Sequence, residues 1–90
     1  MVKIGVLVSG GGTNLQALLD ARKRGEIPDG EISLVIASRK KAYALERARM
    51  AGVPALALPR RDYEDPADYD AALLTALQEA GVELVVLEDR

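Results

Sequence analysis

Four short apolar runs alternate with three segments of helical spacing, and this alternation constrains the fold of the chain more than any other feature. The runs cover residues 3–8, 32–37, 54–58 and 82–87. Because their residues are mostly apolar and do not alternate with polar ones, they are typical of strands buried on both faces of a parallel sheet. The element order is therefore βαβαβαβ, which predicts a single α/β domain over residues 1–90.

The segments between the runs carry the start signals of amphipathic helices. Thr13 is the expected N-cap of the first, because Gln16 lies three residues later and completes a capping box. The second helix is expected over residues 41–51, and Asp65 with Pro66 opens the third. Each segment is followed by a glycine suited to a left-handed C-terminal cap, namely Gly25, Gly52 and Gly81.

The topology follows from the usual handedness of such units. Right-handed crossovers in a doubly wound sheet predict the strand order 3-2-1-4, and Pro54 favours an edge position for the third strand. Ligands of such sheets bind at the carboxyl ends of the strands where the order reverses, which here lies between strands one and four. The segment Ser9-Gly10-Gly11-Gly12 follows strand one at this point.

The glycine loop has the composition of an anion site. Three successive glycines, Gly10 to Gly12, let the backbone approach a ligand without obstruction by Cβ atoms. The unpaired amides and the positive dipole end of the following helix favour an anion such as phosphate, to which Thr13 and Asn14 can add hydrogen bonds. The alternative is a short connection that binds nothing.

Two sharper nucleotide motifs are absent from the loop. It contains no Gly-Lys-Ser/Thr sequence, so it is not a nucleotide P-loop. Leu15 occupies the position where a dinucleotide fingerprint needs its third glycine, and strand two ends in Ser38 and Arg39 instead of an acid. The basic run of Arg39, Lys40 and Lys41 is interpreted as a solvated helix start.

Composition excludes several other classes of protein. The net charge of −2 argues against nucleic-acid binding, and 49% apolar residues argue against disorder. The chain has no Cys and no His, which removes disulfides, zinc–thiolate sites and histidine catalysis. The polar stretch 60–65 is interpreted as a surface loop, and the acidic residues between 62 and 70 are explained by helix capping and this solvated loop, so no metal is expected. The three tyrosines, at positions 43, 63 and 69, are interpreted as packing residues. No run is long enough to span a bilayer, and no leader layout is present, so we expect a soluble cytoplasmic protein with no membrane partner.

The segment 6–16, VLVSGGGTNLQ, resembles the opening of glycinamide ribonucleotide formyltransferase, also called phosphoribosylglycinamide formyltransferase. The likeness continues through SRKKAY at 38–43 and LERAR at 45–49, and it ends with VVL at 85–87. This folate-dependent enzyme of purine synthesis transfers a formyl group from 10-formyltetrahydrofolate to glycinamide ribonucleotide. The resemblance implies a Rossmann-like fold. It also implies that Gly12, Thr13 and Asn14 bind the substrate phosphate, while Gly10 and Gly11 shape the loop.

The resemblance covers nearly all of this chain but only the N-terminal half of the family's enzyme. The family's catalytic Asn, His and Asp follow the fourth strand, as does a loop of the folate pocket. This chain has no His, and Asn14 is its only Asn. We therefore expect a truncated formyltransferase that binds the substrate phosphate, with no catalytic residue and an incomplete 10-formyltetrahydrofolate pocket. The alternatives are a non-catalytic phosphate- or nucleotide-binding module, or another enzyme that uses formyltetrahydrofolate.

The last apolar run predicts self-association. Residues 84–87 are apolar without alternation, and strand four has a free edge in the expected order. An exposed apolar edge templates pairing with another chain. We therefore expect a homodimer through strand 82–87, in which only Glu83, Glu88 and Asp89 oppose the pairing.

Overall fold

The computed structural model describes residues 1–9, 13–26, 29–39 and 42–88. Within them the elements alternate as the sequence predicts. They are β1 (Val2–Val8), α1 (Thr13–Lys23), β2 (Gly30–Ala37), α2 (Tyr43–Met50), β3 (Ala55–Ala57), α3 (Pro66–Glu79) and β4 (Leu84–Glu88). A short 3₁₀ turn, Arg60–Asp62, lies between β3 and α3.

The sheet has four parallel strands in the order β3-β2-β1-β4, which confirms the predicted topology. Central strand β1 pairs with β2 on one side and with β4 on the other. Its residue Val8 lies level with both Ala37 and Glu88, so the three strands end together at one edge. The register between β1 and β2 shifts once, where Ser33 is the extra residue of a bulge.

The helices cover both faces of the sheet. Val6 and Val8 of β1 pack with Leu15 and Leu19 of α1, and with the buried face of α2, in one hydrophobic core. On the opposite face α3 approaches β1 so closely that a Cβ on Gly5 would lie 2.9 Å from Leu77 Cδ2. The arrangement is therefore doubly wound, as expected.

The helix ends follow the predicted glycine caps. At the end of α2 the Gly52 amide donates to the Arg49 carbonyl at 3.0 Å, and the Val53 amide donates to the Ala48 carbonyl at 2.9 Å. This is the paired hydrogen-bond pattern of a Schellman motif, and its glycine has a φ of 74°. The same pattern closes the other two helices at Gly25 and Gly81.

The helix starts agree with the sequence at α3 and differ slightly at α1. Asp65 caps α3, because its side chain accepts a hydrogen bond from the Ala67 amide at 2.9 Å. Helix α1 includes Thr13 as a helical residue, and the residues just before it lie outside the described residues. Thr13 is therefore part of the helix and not the N-cap that the sequence predicted.

Two strands are shorter than predicted at their starts. Strand β3 covers only Ala55–Ala57, because Pro54 has no amide and contributes to the sheet through its carbonyl, which accepts from Val35 at 2.9 Å. Strand β4 begins at Leu84, because the Val82 amide is used in the cap of α3. No helix among the described residues has both the length and the apolar character needed to cross a membrane.

We expect Gly5→Ala to destabilise the fold. The added methyl would meet Leu77 Cδ2 at 2.9 Å and the stiff Val82 side chain at 3.0 and 3.1 Å, so α3 must move outwards. Overpacking of this kind costs about 1–3 kcal/mol of the free energy of unfolding, measurable by urea denaturation. Gly25→Asn is the control, since nothing lies within 4 Å of that position and Asn tolerates its positive φ. Equal stability of Gly5→Ala and the parent chain would contradict the close approach of α3.

Candidate functional site

A cleft of about 220 Å³ opens at the carboxyl ends of β1, β2 and β4. Its floor is apolar, and its rim carries hydroxyl groups and one guanidinium group. The described residues that line it are Leu7, Val8, Ser9, Ile36, Ser38, Arg60, Tyr69, Leu73 and Leu87. This is the edge between strands one and four where the sequence predicted a ligand site.

The structure describes the two flanks of the predicted phosphate loop. Ser9, the residue after β1, lines the cleft and is exposed. Gly10, Gly11 and Gly12 lie outside the described residues, and Thr13 is the first residue of α1. Asn14 is exposed in the first turn of that helix. The strand before the loop and the helix after it are thus both in place, while the phosphate contacts stay a prediction.

Arg60 and Tyr69 form the wall of the cleft on the side of α3. The Arg60 guanidinium carbon lies 5.0 Å from the centroid of the Tyr69 ring. That ring is only 6% exposed, and its hydroxyl donates a hydrogen bond to the Leu58 carbonyl at 2.9 Å. Tyr63 packs edge-on against it, with ring centroids 5.4 Å apart. Tyr69 is therefore a fixed platform for the guanidinium group.

Sequence reasoning missed Arg60. It treated residues 60–65 as a solvated surface loop. The signal that could have found it is topological, because the connection after β3 leaves the carboxyl edge of the same parallel sheet as the glycine loop. The interpretation of Tyr43 as a packing residue was wrong, since its side chain is 53% exposed and lies under the Arg47 guanidinium.

No metal site emerges from the acidic residues of this region. Among the described residues, no group of three or more carboxylate side chains is arranged to hold an ion. The carboxylate of Asp65 is used to cap α3.

Comparison with known proteins places the chain in a family. Residues 2–89 match the family described as formyl transferase. The chain belongs to this formyl transferase family.

Individual relatives agree with the family match. The chain is 41% identical over 87 residues to the phosphoribosylglycinamide formyltransferase of Haemophilus influenzae, and it is 31% identical to the trifunctional purine biosynthetic protein adenosine-3 of Homo sapiens. It superposes with a TM-score of 0.90 and 53% identity on the crystal structure of glycinamide ribonucleotide transformylase 1 from Symbiobacterium toebii. Each of the matches to the Haemophilus protein and the Symbiobacterium chain covers 97% of this chain but 41% of the relative. The chain thus spans about two fifths of these two relatives.

Within this formyl transferase domain, two sequence motifs that carried the resemblance contact each other. Arg47 of the LERAR segment donates a hydrogen bond to the Gln16 side chain of the TNLQ segment, at 3.1 Å. Gln16 in turn donates to Asp20 one turn later, at 2.9 Å. The bond joins α2 to the first turn of α1, directly after the glycine loop.

A second bond joins the same two helices at their far ends. Arg22, in the last turn of α1, donates to the carbonyl of Ala51 at the end of α2, at 3.2 Å. Between the two bonds, the Leu15 side chain is fully buried in the core. Helix α1 of the formyl transferase domain is therefore held against rotation and sliding, which fixes the direction of its N-terminal amides.

The site contains one phenol whose titration is coupled to stability. Burial raises the pKa of Tyr69, and the nearby Arg60 charge opposes this only in part. A raised pKa means that the folded state prefers the neutral phenol, so its contribution to stability is complete below pH 10 and declines as the pH rises further. The loss has a direct structural cause, because the phenolate has no proton to donate to Leu58.

We expect Tyr69→Phe to lower the free energy of unfolding by about 1 kcal/mol at neutral pH, since it removes one hydrogen bond and leaves the carbonyl of Leu58 without it. The difference between variant and parent should shrink as the pH rises above about 10. Urea denaturation at several pH values measures this. Tyr63→Phe is the matched control and should show a smaller effect at neutral pH, since its ring packs against Tyr69 without the hydrogen bond to Leu58. A constant difference between Tyr69→Phe and the parent across this range would refute the coupling.

Proposed function

We propose that this chain carries the substrate-binding part of a phosphoribosylglycinamide formyltransferase of cytoplasmic purine synthesis. The proposal rests on one observation above the others. Val8 and Ser9, which line the cleft at the end of central strand β1, lead into the segment that resembles the family's substrate loop. Helix α1 follows this segment, and its first turn is bonded to α2. The family match and the names of the relatives support the same assignment.

In this proposal the phosphate of glycinamide ribonucleotide binds to Gly12, Thr13 and Asn14. Gly10 and Gly11 give the loop its close backbone approach. The first amides of α1 donate to the phosphate oxygens, and the helix dipole favours their charge. The ribose and glycinamide portions extend into the cleft between β1 and β4.

The reaction joins this substrate to 10-formyltetrahydrofolate as cosubstrate, with no metal. The glycinamide amine attacks the formyl carbon, and the bond from that carbon to the folate nitrogen breaks. The amine loses one proton to a base, and the folate nitrogen gains one from an acid. We assign no residue of this chain to these proton transfers; its part is to bind and orient the substrate.

Ribose 5-phosphate is the probe that tests the phosphate site. We expect millimolar ligand to shift the backbone amide signals of Asn14 and Leu15 in a nitrogen-15 NMR titration. The affinity should be weak, because each interaction at an exposed helix terminus contributes only about 0.3–1 kcal/mol. Ribose without phosphate should leave these signals in place.

Gly12→Val should abolish the shifts, because the branched side chain obstructs approach of the phosphate. Ala17→Val is the matched control, since it introduces the same residue at an exposed position of α1 outside the loop. If ribose 5-phosphate moves no amide of the first turn of α1 in the folded parent chain, the proposed function fails at its central point.

We also propose that two copies of the chain associate along β4. The exposed side chains of this strand include Leu84 at 50%, Val85 at 42% and Leu87 at 72%. Glu83, expected to oppose such pairing, accepts a hydrogen bond from the Lys3 amide at 3.2 Å. Its carboxylate is thus turned towards β1 and away from the free edge. An antiparallel pair of β4 strands would bury these apolar side chains and extend the sheet.

Light scattering after size exclusion at micromolar concentration should therefore give the mass of a dimer. Val85→Lys should shift the protein to monomer, because it places a like charge twice in a symmetric interface. Leu56→Lys introduces the same charge on β3 at the opposite edge of the sheet and should leave the dimer intact. A folded monomer for the parent chain would refute association.

A further inference from the structure

We infer that Arg60 is the anion-binding residue of the cleft, where it binds a phosphate or carboxylate oxygen of the ligand. The inference deepens the proposed function and rests on it for the choice of ligand. It adds a second anionic contact to the site, separate from the one at the start of α1.

The position of Arg60 in the cleft supports its role in anion binding. Among the described residues that line the cleft, Arg60 is the one that carries a charge. The floor beside it is apolar, whereas Ser9 and Ser38 place hydroxyl groups on the rim. A ligand with an apolar or sugar body and an anionic end fits this distribution, because the guanidinium fork pairs with two oxygens of a phosphate or carboxylate.

Arg60 is also oriented before any ligand arrives. It lies in a 3₁₀ turn closed by hydrogen bonds from Asp62 to the Pro59 carbonyl at 3.2 Å and from Tyr63 to the Arg60 carbonyl at 3.1 Å. Pro59 at the start of this turn is buried, and Tyr69 supports the guanidinium face. Less side-chain freedom is therefore lost when an anion binds.

The guanidinium group keeps its charge available. The salt bridges within the described ranges join Arg24 to Glu26 and Arg49 to Glu46, and neither involves Arg60. Glu64 and Asp70 line a neighbouring hollow beside Tyr69. These carboxylates reduce the local potential, but neither they nor any other described residue forms a salt bridge with the Arg60 guanidinium group.

The contact is distinct from the proposed phosphate loop because the two belong to different faces of the sheet. Helix α1 packs on the face of Val6 and Val8. Tyr69, whose ring packs against the Arg60 guanidinium group, belongs to α3 on the face of Leu7 and Leu87. The two candidate anion contacts thus lie on opposite faces of the sheet, which suits two anionic ligands, or one ligand with two anionic ends.

The test follows the side-chain Nε–H signal of Arg60 by NMR in the 90-residue chain, with two separate probes. Ribose 5-phosphate represents a phosphate ester, and benzoate represents a carboxylate on an apolar body. We expect one of them to shift the Arg60 signal. Arg60→Gln should weaken binding of that probe about three- to tenfold, which is the range for a charge-assisted hydrogen bond reduced by exposure.

Arg61→Gln is the matched control, because it removes the same charge from the adjacent exposed residue, which does not line the cleft. Arg60→Lys should retain part of the affinity, since it keeps the charge but loses the fork. A response to ribose 5-phosphate assigns the contact to a phosphate, and a response to benzoate assigns it to a carboxylate.

The inference is overturned if neither probe moves the Arg60 signal, or if Arg60→Gln and Arg61→Gln weaken binding equally. Failure of the proposed function has a different signature. In that case ribose 5-phosphate leaves the α1 amides of Asn14 and Leu15 unmoved, whatever Arg60 does. The two sets of signals are read in the same spectra.

Discussion

Burial of β1 between two neighbouring strands and two layers of helix is the constraint on which the rest of the structure depends. Val6 is fully buried, and the strand pairs in parallel with β2 and β4 along its length. Because parallel strands end at a common edge, the central strand decides where every connection on that edge emerges. The glycine loop and the cleft are consequences of this placement, and so is the meeting of three strand ends at one level.

The two faces of the sheet are covered by helices in different ways. On the face of α1 and α2, small residues such as Ala44 and Ala48 let the helices approach, and polar bonds at both ends fix their alignment. On the other face α3 is the one helix of the described residues that covers the sheet. It reaches β1 only because Gly5 has no side chain, and Leu73 and Leu77 stay half-buried. The rigid face holds the helix start that the proposal assigns to phosphate, and the open face holds the cleft.

Local signals in the sequence were sufficient for the order of elements, the sheet topology and the glycine caps at the helix C-termini. Continuous apolar runs marked strands buried on both sides, and each glycine cap has a physical requirement for positive φ that few other residues meet. The site was predicted less completely. Gly10 to Asn14 could be singled out because loop and helix are contiguous, whereas Arg60 joins the cleft through tertiary packing on Tyr69. A charged residue in a polar stretch gives no local sign of such a partner.

The same limit explains the smaller errors. Tyr43 looked like a packing residue because aromatic side chains usually are. Its exposed ring instead lies under the guanidinium group of Arg47, which bonds across to α1. The length of β3 depended on whether Pro54 could join the sheet through its carbonyl alone. Both outcomes are set by neighbours distant in sequence, which propensity and periodicity do not register.

The hydrogen bond between Tyr69 and the carbonyl of Leu58 also bears on how the molecule opens. Strand β3 has only three residues and lies at an edge, so its own ladder gives little protection against local unfolding. The bond ties the end of this strand to the first turn of α3, across the turn that carries Arg60. We therefore expect strand, turn and helix start to open as one cooperative unit, whose amides exchange with solvent together. Arg60 would then keep its position in the cleft only while this whole unit is folded.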